Sequence, residues 1–195
     1  MVPVTLGAHE MAQCPYAWWK PISHNFNQGR MQSTILGLVI HITDGHGDLP
    51  IVRGDFDHVG AKKSSHFAIS KNGDLWQFVD TDNRAWAIDR DTWDSQWISV
   101  ENVAKLGEKL TNEQLMGCAM LLRWMHELYD VPFTRSVHAK DAGLGYHRMF
   151  HIGDHVCPGV PVKMQLEYIV RKAGYLWWKD SGDQSVPLYM REFTN

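Results

Sequence analysis

A chain of 195 residues, 44% hydrophobic and 21% charged, suits one domain built around a single hydrophobic core. A net charge of −3 with eleven histidines counted neutral, and no Lys/Arg stripe beyond the pair Lys62-Lys63, exclude a nucleic-acid footprint. Three sparse cysteines (Cys14, Cys118, Cys157) exclude a disulfide framework, and no apolar run is long enough to insert in a membrane.

Residues 1–34 read as an extended N-terminal arm, with Pro3, Pro15 and Pro21 beside Tyr16, Trp18 and Trp19. The arm has no charged n-region followed by an apolar h-region, so the chain is expected to be made in the cytoplasm without a signal peptide. "ILGLVIH", Ile35 to His41, is a short apolar run rich in β-formers and reads as a buried strand. "TDGHGDLP" follows as a loop. "HFAIS" and "DLWQFVD" alternate around Asn72-Gly73, a tight-turn signal, and predict a hairpin. "NRAWAIDRDTW" reads as a loop, and "WISVENV", Trp97 to Val103, as a further strand.

Thr111 to Asp130 predicts the best helix. Thr111 and Gln114 form a capping box, and Leu115, Met116, Ala119, Leu122, Met125 and Tyr129 recur at helical spacing as a core stripe that takes in Cys118. "RSVHA" reads as a last strand. A second helix is expected from Pro161 to Gly174, with the tail 176–195 unassigned. Strands in the middle and helices later predict an α/β fold, a central mixed sheet flanked by helices in a single domain over residues 35–175.

The chemistry concentrates in "GYHRMFHIGDHVCPG", Gly145 to Gly159, which holds three histidines and a cysteine. A catalytic zinc takes three protein ligands and leaves a fourth position to water. His147 and Cys157 lie ten apart on a loop able to fold both onto one ion, and His41 at the end of the first core strand supplies a third ligand. His151 or His155 can replace His147 on geometry alone. A thiolate beside two imidazoles selects zinc over magnesium or calcium. His66 reads as a satisfied core histidine or a support for a ligand; His9, His24, His58 and His126 read as surface or packing residues.

Taken in order, "LVIHIT", "SSHFAIS", "LWQFVD", "WISVEN", "GYH" and "CPG" resemble the zinc-dependent N-acetylmuramoyl-L-alanine amidases, the type 2 amidase and peptidoglycan recognition protein family. The likeness covers residues 35–172. It implies a Zn2+ held by His41, His147 and Cys157, with His138 in "SVHA" the competitor of His147. It also implies catalytic roles for Glu101 and His155. His155 stands where relatives often carry lysine, Ser65 where endolysins often carry tyrosine, and Ile42 where a second His or a Cys is common. His151 receives no role and is expected to be exposed.

The implied reaction is hydrolysis of the amide between the lactyl group of N-acetylmuramic acid and the L-alanine of the stem peptide. Glu101 would act as general base, and His155 as an imidazolium donor to the developing oxyanion. Trp76, Trp86, Trp93 and Trp97 are candidates to line a sugar-peptide groove, Trp86 and Trp93 first. The partner is peptidoglycan or a muropeptide, the chain is expected to be a monomer, and the role that of a lytic endolysin or antibacterial effector. Such a protein acts in the periplasm or on the cell wall after holin release or secretion, with delivery machinery or an immunity protein as possible partners. The alternatives are a cytosolic amidase recycling anhydro-muropeptides, a non-catalytic peptidoglycan-binding module, and a structural zinc closed by His155.

Overall fold

The computed structural model describes residues 12–31, 34–45, 47–89, 91–151 and 155–182. Pro3, His9 and the end of the chain from residue 183 lie outside the described residues. Of the arm, β1 (Trp18–Trp19) joins the main sheet and β2 (Phe26–Asn27) pairs with β6 (Arg84–Ala85).

The expected mixed sheet is present. Its strands are β3 (Gly37–Ile42), β4 (Phe67–Ile69), β5 (Leu75–Gln77), β7 (Trp97–Asn102) and β8 (Gly143–Tyr146), with β1 at one edge, in the order β1-β5-β4-β7-β3-β8. The β4-β5 hairpin is antiparallel, and β3 runs parallel to both β7 and β8. Every residue of β3 is buried, as a central strand covered on both faces requires.

Alternation along the strands sorts the two faces. Leu38, Ile40 and Ile42 of β3, with Ile98 and Val100 of β7, pack against Leu115, Cys118, Leu122 and Met125 of α3 (Asn112–Tyr129). Ile169 and Ala173 of α5 (Leu166–Ser181) complete that core. His41 and Glu101 therefore point to the opposite face. There α1 (Leu49–Asp57) seats Leu49, Val52 and Phe56 against Ala68 and Phe78.

The capping box forms as expected: the Thr111 side chain accepts from the Gln114 N–H at 3.1 Å, and Gln114 accepts from the Thr111 N–H at 3.0 Å. Other boundaries differ from the sequence reading. "RSVHA" is no strand; Arg135 makes only an isolated bridge to Leu144, and the edge strand is the glycine-rich β8. Glycine serves the contact of β8 with β3 because there is no room for a side chain: a Cβ on Gly37 of β3 would overlap the Gly143 carbonyl, and one on Gly145 would lie 2.8 Å from the Trp97 ring. The expected helix from Pro161 is two pieces, α4 (Val160–Lys163) and α5. Gly174 does not stop α5, because it is buried in the packed face; Gly182 in the left-handed region ends it. The loop reading of residues 43–50 ends early at α1, and "NRAWAIDRDTW" contains β6 and the start of α2 (Asp91–Gln96).

Candidate functional site

β3 delivers His41 and β7 delivers Glu101 as direct partners in a parallel register. His147 opens the 3-10 turn (His147–Phe150) that follows β8, on the other side of β3. Cys157 comes from the loop before α4. Its carbonyl accepts from the Arg148 N–H at 2.9 Å, which ties that loop to the turn carrying His147. The Ile42 N–H donates to Cys157 Sγ at 3.4 Å, drawing the sulfur to the end of β3.

Four elements thus converge on one cavity of about 410 Å³, lined by His41, Glu101, His147, His155 and Cys157 with Trp86 on its wall. One ligand atom from each of His41, His147 and Cys157 lies within 4.8 Å of the others. His41 Nε2 and Glu101 Oε2 are both buried without a hydrogen-bond partner. Natural proteins rarely leave buried polar atoms unmatched, so these two orphans mark a place for a ligand.

The electrostatics carry the same message. Burial, with His155 and His151 close by, pushes His41 down to about 3. Burial and the other three imidazoles lower His147 further. Burial, Glu101 and Asp44 raise the Cys157 thiol. Burial lifts the Glu101 carboxyl to about 7, with Lys63 opposing. Without a cation, then, two neutral imidazoles and a thiol crowd a carboxyl that resists ionising. A divalent cation suits the two neutral imidazoles as they are, and would draw the thiol to thiolate and the carboxyl to carboxylate. Two imidazoles and a thiolate are a donor set that suits zinc.

His155 reaches His147 Nδ1 with its Nε2 at 2.9 Å, and it belongs to a second group of three with His147 and His151 rather than to the first. The set of His41, His147 and Cys157 therefore has three members. Burial, His151 and Arg148 all lower His155, which disfavours the imidazolium form expected from the sequence. His138 is exposed, joins neither group, and lines a separate pocket with Trp93 and Lys140. His151 is half-buried, not exposed, and its Nε2 lies 3.0 Å from His147 Nε2. The spacing of four between His147, His151 and His155 is the sequence signal that accompanies this contact.

Three further histidines sit apart from this cavity. His66 is buried with Nδ1 on Ser99 Oγ at 2.9 Å and Nε2 by Arg30 at 2.8 Å, a satisfied core residue. His24 contacts Asp57 at the surface, and His126 packs on Phe133 and Trp177. Trp86 and Trp93 line a second cavity of about 890 Å³ with Asn27, Lys62 and Arg84, and Trp86 is common to both cavities. Trp97 is not at a groove; it is 1% exposed and packs edge-on against Phe150.

No curated protein sequence matches the chain. Among solved structures it is similar to an AmpD derivative, with 16% identity and a TM-score of 0.64 over 82% of this chain and 97% of that one. It is also similar to the Staphylococcus aureus hydrolase AmiA (13%, TM-score 0.67, 87% of each chain) and to the Drosophila peptidoglycan recognition protein SD (17%, TM-score 0.55, 75% and 87%). At these identities the likeness is one of fold. A family model described as N-acetylmuramoyl-L-alanine amidase matches residues 31–160, most of the chain, and the chain belongs to that family of amidases.

Proposed function

We propose that the cavity is a hydrolytic zinc centre that cuts the amide between the lactyl group of N-acetylmuramic acid and the L-alanine of the stem peptide. The observation that carries this reading is the pair of orphaned atoms, His41 Nε2 and Glu101 Oε2, side by side on paired strands in the cavity that His147 and Cys157 complete. His41, His147 and Cys157 would hold the ion. When bound, zinc supplies Lewis acidity toward a carbonyl oxygen and makes water more acidic.

The rest of the chemistry falls to the chain. Glu101 takes a proton from the attacking water as its oxygen adds to the lactyl carbonyl. The carbon–nitrogen bond then breaks, and the same proton passes from Glu101 to the departing amine of L-alanine. The N–H of a neutral His155 donates to the oxyanion that develops in between. The three-member ligand set supports catalysis over a structural zinc closed by His155 or a binding module.

The role is that of a lytic amidase acting on the wall, after holin release or secretion. The second cavity of about 890 Å³, which shares Trp86 with the first, supports an extended substrate. Among the described residues no helix is long and apolar enough to cross a membrane. The test sets intact sacculi beside soluble anhydro-muropeptides, with the Glu101→Gln variant as control. Faster release from sacculi supports the lytic role. Cleavage of soluble fragments alone assigns recycling, and binding without cleavage assigns a recognition module.

A further inference from the structure

The geometry points to a second, outer transition-metal site made of His147, His151 and His155, sharing His147 with the inner set. One nitrogen from each ring lies within 4.8 Å of the others. His147 uses both ring edges: Nδ1 is 2.9 Å from His155 Nε2 and Nε2 is 3.0 Å from His151 Nε2. The ring centroids are 4.0 Å (His147 to His155), 4.8 Å (His147 to His151) and 4.5 Å (His151 to His155) apart. A neutral imidazole has one donor and one acceptor nitrogen, so these contacts form a chain of three rings through His147. An ion taken up by the inner set occupies one edge of His147 and breaks one link of that chain. An ion taken up by the outer set does the converse and draws on His147.

The two sets differ in burial and in chemistry. The inner one includes the buried His41 and a sulfur; the outer one is three half-buried imidazoles with no sulfur and no carboxylate. All-nitrogen sites follow the divalent affinity order, in which nickel and copper rank high, whereas a thiolate favours zinc. The outer set is therefore a site for nickel(II), copper(II) or excess zinc(II). Its occupation withdraws His147 from the inner set and His155 from its hydrogen bonding, so it inhibits. The inhibition rests on the catalytic reading of the inner cavity; the binding does not.

The test uses nickel(II) as probe and the full chain. In metal-free Cys157→Ala protein, calorimetry should show one tight nickel site whose spectrum lacks thiolate-to-nickel charge transfer. Adding His151→Ala should weaken it by more than the ~10–100-fold that loss of even an outer partner of a metal ligand costs. His151→Asn serves as a second variant, and circular dichroism confirms the fold of each. In zinc-loaded protein, His151→Ala should weaken nickel inhibition, read against the variant's own uninhibited turnover, by a similar factor. Nickel affinity in the Cys157→Ala background that changes less than about twofold on loss of His151 overturns the site. Binding that depends on His151 in a protein inactive on every wall substrate sinks the amidase reading alone.

Discussion

His41 and Glu101 are register partners on the parallel strands β3 and β7, so their side chains leave the sheet side by side on the face away from α3. Each carries a buried polar atom with no partner. A residue pair that costs stability in the empty protein is placed where a cation and a substrate would satisfy it.

That cost has a pH dependence. Glu101 is lifted from 4.5 to about 7 in the folded chain, chiefly by burial. The folded state therefore binds the proton more tightly than the unfolded state. The associated stability is complete below pH 4.5 and is lost as pH rises through about 7, some ~3 kcal/mol in all. In chelated protein, Glu101→Gln should abolish this loss and raise Tm at alkaline pH by several degrees. It should also lower kcat by at least ~100-fold with zinc content unchanged. Thermal melts across pH with and without chelator, beside turnover assays, check both halves.

His155 should act as the neutral imidazole, the form that burial, His151 and Arg148 favour by lowering it from its ordinary 6.5. His155→Ala should lower kcat by ~100-fold or more, the cost of one oxyanion donor, while one zinc stays bound. Wild-type kcat should stay level from neutrality to about pH 9, since neutral imidazole does not titrate there. A fall in that window that His155→Lys shifts upward would reinstate the imidazolium.

Cys157→Ser replaces an ionisable sulfur by a hydroxyl that does not ionise beside Glu101 and Asp44. Zinc content should fall below one per chain, and the cobalt-substituted protein should lose its near-ultraviolet thiolate band. Metal at a hundredfold excess over Kd stabilises by about 2.7 kcal/mol, and that increment should vanish in the variant. Metal analysis and melts with added zinc measure it.

Gly37→Ala drives a methyl into the Gly143 carbonyl and toward the Trp97 ring at 2.7 Å. Overpacking of this kind costs ~1–3 kcal/mol or more. Because β8 carries the turn that starts at His147, zinc affinity should fall along with stability. Urea unfolding and zinc competition titrations report the two effects.

Legibility in the sequence followed locality. The capping box at Thr111 and the Asn72-Gly73 hairpin were readable because their hydrogen bonds join near neighbours. The strand ending at His41 was readable from its apolar run. α1 was missed because its glycine- and proline-rich approach reads as a loop, although Pro50 at its start and the spacing of Leu49, Val52 and Phe56 are helical signals. β8 was missed because "GLGY" has little β propensity and is held by close backbone approach. α5 outran Gly174 because packing against α3 outweighs local propensity. At the site, the residue types around His41, His147 and Cys157 could be read, and family resemblance supplied Glu101. The pairing of Glu101 with His41 and the contact of His151 with His147 depend on strand register and on a turn that no local pattern encodes.

The most direct measurement is mass spectrometry of purified Gram-negative sacculi digested by the protein, by the chelated protein, and by chelated protein given zinc back. The account predicts free stem peptides beginning at L-alanine, lost on chelation, restored by zinc and absent with Glu101→Gln. Release that persists under chelation with Glu101→Gln, or cleavage at a different bond, would contradict it.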